Sequence, residues 1–162
     1  MPVADFYWVE APTKSRLAVS ARPRSGEWLQ AETLSWKEQG LDTIVSLLED
    51  EEIAELGLIL EDELCTTAGL NYLRFPIRDR GVPTDRSGAI HLGTQLAQSL
   101  VAGENILIHC RAGIGRTGLF AAAILVLAGA DPEEALSAVG RARRVPVPDT
   151  AEQREWVLGL RP

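Results

Sequence analysis

Several common kinds of protein are excluded by what this chain has little of. Its two cysteines, Cys65 and Cys110, stand far apart in 162 residues and do not make a disulfide scaffold. Its two histidines, His91 and His109, lack clustered ligand partners, so the expected metal content is none. No apolar run is long enough for a bilayer; the longest, Leu119 to Ala130, suits a buried core helix. The N-terminus lacks a basic start followed by an apolar stretch, so no secretory signal is expected. There is no internal repeat, low-complexity tract or long linker. Positive charge is also short: the net charge of −7 argues against a nucleic-acid binder.

What is present suits one domain spanning 1–162, with 46% hydrophobic residues to build a core. Phe6 to Val9 and Arg16 to Ser20 read as a strand hairpin around Ala11-Pro12-Thr13. Glu27 to Gln39 reads as a helix with Leu29, Thr33 and Trp36 on one stripe and Gly40 as its stop. Strands are expected at 43–48, 71–75 and 105–108. Short helices are expected at 50–57 and 60–68, then helices at 87–101, 132–143 and 150–160, each opening on a capping residue or an acidic turn. Alternating strands and helices imply an α/β fold with a central, mostly parallel sheet and helices on both faces.

The most informative segment is His109-Cys110-Arg111-Ala112-Gly113-Ile114-Gly115-Arg116-Thr117-Gly118. It follows an apolar strand and opens the long apolar helix, so Cys110 falls beyond the carboxyl end of a central strand, where open α/β sheets bind ligands. In a tight glycine-rich loop, successive backbone N–H groups form an anion nest, and the positive end of the following helix adds to it. Those dipoles stabilise a thiolate at Cys110. Arg116, six positions later, supplies a planar two-pronged donor for an oxyanion. Residues 71–117 carry six arginines against Asp79, Asp85 and Glu104, a net +3 that leaves −10 for the rest. A local basic rim on an acidic protein fits a phosphorylated substrate.

This string resembles the signature of the cysteine-dependent protein tyrosine and dual-specificity phosphatases: His-Cys, five residues, Arg, then Ser or Thr. Order and length are similar to small bacterial-type dual-specificity enzymes and to cyclin-dependent-kinase-associated phosphatases. The resemblance implies catalysis by Cys110, Arg116 and an aspartic acid, with a signature loop at 109–118 and an acid loop at 76–86. The main-chain N–H groups of Arg111, Ala112, Gly113, Ile114, Gly115 and Arg116 would hold the phosphate oxygens. His109 would orient the loop and tune the thiolate. Thr117 would donate to the Cys110 sulfur, or else cap the helix.

Phosphoryl transfer needs a proton donor for the leaving oxygen. Asp79, in Asp79-Arg80-Gly81-Val82-Pro83, sits on a loop between Pro76 and Pro83 with Gly81 as a candidate hinge. The stretch also resembles the family's mobile acid loop, although Ile77-Arg78 stands where the family has Trp-Pro. Asp85 is read instead as a cap for the next helix. In Pro148-Asp149-Thr150-Ala151-Glu152-Gln153, Gln153 matches the second glutamine of the family's Gln-Thr-x-x-Gln loop, or forms a plain capping box with Thr150. Asp149 replaces the first glutamine, which in the family positions the attacking water, so Asp79 alone is expected to serve as base.

Cys65 is expected in the core, although a disulfide shielding Cys110 is an alternative. The expected activity is metal-independent and needs no cofactor. Its partner is a phosphorylated protein or peptide bearing phosphotyrosine, and possible targets include phosphoserine and phosphothreonine. Phosphoinositides, RNA 5′-phosphates and small phosphate esters use the same kind of cradle. A silent phospho-binding module and a sulfurtransferase or arsenate reductase are the rivals. A monomer in the reducing cytoplasm is the expected setting.

Overall fold

The computed structural model describes residues 5–10 and 16–160. Five strands form one sheet: β1 (Tyr7–Val9), β2 (Leu17–Ser20), β3 (Thr43–Ser46), β4 (Asn71–Arg74) and β5 (Ile106–His109), in the order β1-β2-β5-β3-β4. β5 runs parallel to both β2 and β3, β4 is parallel to β3, and only β1 is antiparallel to its neighbour. Every residue of β2, β3 and β5 is buried. That is the pattern of parallel strands covered on both faces.

Alternation along the strands divides the core in two. Leu17, Val19, Val45, Ile106 and Ile108 pack with residues of α4 (Arg86–Ala102), α5 (Gly115–Leu127), α6 (Pro132–Arg143) and α7 (Ala151–Leu158). Ala18, Ile44 and Leu107 point the other way, to Trp36 of α1 (Leu29–Glu38) and Cys65 of α3 (Glu61–Thr67). Cys65 is thus a core residue, its thiol pushed up in pKa by burial first and then by the charges of Glu61 and Asp62. A short α2 (Asp50–Glu55) completes the set.

The expected elements form with shifted ends. The helix read at 27–39 begins as a 3-10 turn at Gly26–Trp28, because no side chain caps it and Gly26 enters at φ +64°. β3 stops at Ser46, where the Ser46 hydroxyl takes the Leu48 N–H at 3.4 Å. Asp85 caps α4 as expected, accepting from the Gly88 N–H at 2.8 Å. The turn read at Ala11-Pro12-Thr13 lies outside the described residues.

Register brings the site together. His109 pairs with Ser20 on one side and Ser46 on the other, so three buried strands end level. The segments that follow them converge beyond the carboxyl end of β5. α5, buried on every side from Gly115 to Val126, starts from that point.

Candidate active site

Cys110 is the first residue after β5, and the loop from it reaches α5 at Gly115. The chain turns at Gly113 with φ +75°, and a Cβ there would lie 2.4 Å from the Ser20 carbonyl carbon and oxygen. Only glycine satisfies both the backbone angle and the contact. Three successive carbonyls of the loop are held from outside. Cys110 O faces His109 Nδ1 at 3.4 Å, Arg111 O accepts from the Arg22 N–H at 3.2 Å, and Ala112 O accepts from Arg143 Nη2 at 3.1 Å. A trans peptide plane sends the next N–H the opposite way. The N–H groups of Arg111, Ala112 and Gly113 therefore face the concave side. Among the described residues, the N–H groups of Arg111 to Ile114 have no protein acceptor. A row of free donors at a helix N-terminus is an anion site.

Arg116 is the charged centre of this loop, at 2% exposure. Its Nη1 and Nη2 donate to the two carboxylate oxygens of Glu52 at 2.6 and 2.9 Å, and Nη1 also donates to Ile77 O at 3.0 Å. Asp79 Oδ1 stands 3.4 Å from Nη2. Nε has no partner among the described residues, and it is not one of the fully enclosed unpaired atoms. The Nε–Nη2 edge is thus the side left for an anion, in the two-pronged geometry that suits phosphate. Burial works against the charge of Arg116, but the hydrogen bonds of Glu52 and the negative groups around it prevail and hold its pKa above the ordinary value. Glu52 shows the converse. Burial pushes its carboxyl up, but Arg116 and the Glu49 N–H outweigh that and hold it below the usual carboxylate value.

His109 lies behind the loop, fully buried. Its Nε2 is 2.6 Å from Glu61 Oε2, and Glu61 Oε1 accepts from the Tyr72 hydroxyl at 3.3 Å. Trp36 stacks on the imidazole with centroids 6.3 Å apart. The ring is therefore fixed from two sides while Nδ1 faces Cys110 O. Thr117 departs from expectation. Its hydroxyl is buried with no hydrogen-bond partner among the described residues, so the bond to the Cys110 sulfur is not made. Nor does it cap α5, whose N-cap is Ile114, because Thr117 already lies inside the first turn.

The loop that carries Asp79 is fastened beside this arrangement at two points. Ile77 is buried in the main core, and its carbonyl takes the Arg116 bond. Gly81 O accepts from Gln153 Nε2 at 3.0 Å. Gln153 also forms a capping box with Thr150, and its Oε1 accepts from the N–H groups of Asp149 and Thr150 at 3.1 and 3.2 Å. The capping-box reading of Gln153 holds, and the same side chain also reaches the segment that carries Asp79. Asp79, Cys110, Arg116 and Asp149 share a cleft of about 210 Å³, with Arg80 and Arg111 at its edge. A larger open groove of about 750 Å³ between β4 and α4 contains none of these residues, and lacks the convergent charged groups that mark a reaction site.

Cys110, Arg116 and Asp79 are thus brought into one cleft, with His109 and Gln153 hydrogen-bonded to the segments beside it. Sequence reasoning missed Glu52, Glu61 and Arg143. Glu52 had a signal: Glu49 and Glu52 form a capping box that turns the Glu52 carboxylate inward at the start of α2. Glu61 and Arg143 had none, since each reads as an exposed helix-end charge. Arg143 Nη2 holds the Ala112 peptide, with its guanidinium 4.9 Å from the Tyr7 ring. Arg143→Gln is expected to lower kcat/KM for an aryl phosphate by about 10-fold, the value of a charge-assisted hydrogen bond of about 1.5 kcal/mol. Steady-state kinetics beside a melting curve checks this, with the melting temperature expected to change little.

Three comparisons with known proteins agree with this geometry. A family profile described as "Polymorphic toxin system, DSP-PTPase phosphatase" matches residues 20–130. The tyrosine phosphatase-like protein 067L of Invertebrate iridescent virus 3 is 32% identical over 133 residues, covering 76% of this chain and 54% of the viral one. The chain thus spans about half the length of that curated relative. Among solved structures, kinase-associated phosphatase with its catalytic-site cysteine replaced by serine superposes with a TM-score of 0.87 at 22% identity, over 97% of this chain and 93% of the other. A single-substitution form of Tk-PTP gives a TM-score of 0.71 at 27% identity, over 92% and 91%. The chain belongs to the DSP-PTPase phosphatase family that this profile describes, and its fold is that of the protein tyrosine and dual-specificity phosphatase hydrolases.

Proposed function

We propose that the protein hydrolyses phosphomonoesters of protein side chains, phosphotyrosine foremost, through a phosphocysteine at Cys110 and without a metal. The observation that carries this is the shared cleft: a thiol, a row of free N–H donors and the open edge of Arg116 converge there, with Asp79 3.4 Å from the guanidinium. The Cys110 thiolate attacks phosphorus in line. The loop N–H groups and Arg116 stabilise charge on the equatorial oxygens, aimed before the reaction begins. Asp79 gives its proton to the leaving phenol or alcohol. Water then attacks phosphorus, giving its proton to the Asp79 carboxylate, and the S–P bond breaks to release phosphate and the thiolate.

Protein rather than inositol lipid is favoured by the loop side chains. Ile114 packs against the core, and Arg111 leans toward Glu55 at 3.6 Å. Phosphoserine and phosphothreonine belong to the same proposal, as does a reducing compartment such as the cytoplasm for the two free thiols.

Hydrolysis of an aryl phosphate, a phosphotyrosine peptide and a phosphothreonine peptide in chelator-treated buffer tests the reading. Asp79→Asn is expected to lower kcat by about 10²- to 10³-fold, the usual contribution of a positioned general acid. The peptide ratio assigns the specificity. A wild type that binds phosphopeptide and never turns it over would reduce the protein to a binding module.

A further inference from the structure

Behind the cradle lies a buried chain of hydrogen bonds in which the chemical steps take no part. His109 follows Leu107 on the alternate face of β5, the face of Trp36, which stacks on its ring. The His109 and Glu61 side chains are both 0% exposed, and His109 Nε2 lies 2.6 Å from Glu61 Oε2. The other oxygen of Glu61 is occupied, since the Tyr72 hydroxyl donates to Oε1 at 3.3 Å. On the far side of the ring, His109 Nδ1 faces Cys110 O at 3.4 Å. A carbonyl oxygen only accepts, so this contact is a hydrogen bond only with a proton on Nδ1. One further proton lies between Nε2 and Oε2, whichever of the two atoms holds it. In both arrangements Nδ1 carries a proton toward the loop.

We infer that Glu61 is a positioning residue of the phosphate cradle, acting through His109 to hold the Cys110 peptide. This rests on the phosphatase reading above. Glu61 fixes which ring nitrogen meets the loop with its proton, and the Trp36 stack fixes the plane of the ring. The Nδ1–H then holds the Cys110 carbonyl on the His109 side. The trans peptide turns the Arg111 N–H to the concave side, where it is the first free donor of the cradle and the one next to the nucleophile in the chain. That N–H serves twice, as a donor to a phosphate oxygen and as a dipole that stabilises the Cys110 thiolate. The influence of Glu61 travels by hydrogen-bond direction, not by net charge, because the His109–Glu61 pair is neutral overall in both proton arrangements. A glutamine at position 61 can therefore replace it: its amide donates an N–H to Nε2 and leaves the proton on Nδ1.

Nitrogen NMR of histidine-labelled protein reads the proton directly, since His109 shares the spectrum only with the exposed His91. The wild type is expected to show a proton on His109 Nδ1. Alkylation by iodoacetamide, followed at the Cys110 peptide by mass spectrometry, reads the thiolate, and the concentration of inorganic phosphate that half-protects Cys110 reads the cradle. Glu61→Leu removes the fixing bond and is expected to raise that concentration about 10-fold, the effect of one hydrogen bond to a charged group, and to slow alkylation by a similar factor. Glu61→Gln is expected to keep the Nδ1 proton and to stay within about 3-fold of the wild type in both measurements. A wild-type Nδ1 without a proton overturns the inference. A Glu61→Gln that loses as much as is expected of Glu61→Leu also overturns it, as does a folded Glu61→Leu with wild-type values. The wild-type spectrum and the Glu61→Gln values decide the matter even where Glu61→Leu does not fold. A wild type that gives the expected spectrum and variant pattern, yet never turns over an aryl phosphate, sinks the phosphatase reading and leaves the cradle assignment standing, so the two failures are distinguishable.

Discussion

Cys110→Ser is expected to lose phosphatase turnover by at least about 10⁴-fold, the order seen when a catalytic nucleophile is removed, and still to bind phosphate. The two halves of that result come from different atoms. Attack needs a thiolate, and a serine hydroxyl has no adjacent base: His109 is spent on Glu61 at 2.6 Å and on the Cys110 carbonyl. Recognition needs the N–H groups of the loop and the open edge of Arg116, neither of which involves the sulfur. The loop is held by ties to the segment after β2, to α6 and to α2 that serine leaves intact. Calorimetric titration with a phosphopeptide, beside kinetics on the same sample, reads both. Residual turnover near the wild-type level would remove Cys110 from the mechanism. Loss of binding would show that the sulfur shapes the cradle.

Glu52→Ala carries the largest expected effect on stability. Arg116 is 2% exposed, and Glu52 supplies both of its carboxylate bonds. Removing Glu52 leaves the buried guanidinium with the half-exposed Asp79 at 3.4 Å as its carboxylate neighbour and costs about 3–5 kcal/mol. For a domain of this size, that lowers the melting temperature by about 6–20 °C. Glu52→Gln keeps an acceptor and is expected to lose less, while still loosening Arg116 and lowering kcat/KM. The pair also sets an acid limit. The folded-state pKa of Glu52 lies below its ordinary 4.5. Its contribution to stability is therefore fully present above that ordinary value and is lost as pH falls through the lowered one. Denaturant titrations of wild type and Glu52→Gln from pH 6 down to about pH 3 should converge. Parallel curves would show that the carboxylate is not what the acid removes.

Much of this protein was legible from local pattern. The strand at Ile106 to His109, the glycine-rich loop and the helix after it follow from hydrophobic runs and turn residues that are neighbours in the chain. The caps at Asp85 and Asp131 were legible for the same reason, since a cap is a contact over three residues. Cys110, Arg116 and Asp79 were legible because their spacing and loop chemistry resemble a known signature. The physical basis of these readings is short-range: backbone angle, period and hydrogen bonds within a turn.

The tertiary structure alone decided which charges stand behind those residues. Glu52 and Arg116 are 64 positions apart, and His109 and Glu61 are 48 apart. Acidic residues at a helix start look solvated in sequence, because capping and burial draw on the same residue types. Only the level ends of β2, β5 and β3 bring α2 and α3 against the loop, where desolvation makes each carboxylate an obligatory partner. The same convergence left Thr117 without its expected bond and placed Asp149 in the cleft. By itself, then, the sequence determined the order of the elements and the chemical class of the loop, because both are set by near neighbours. Packing across the sheet decided how that loop is charged and clamped, because those contacts exist only once distant segments share one low-dielectric space.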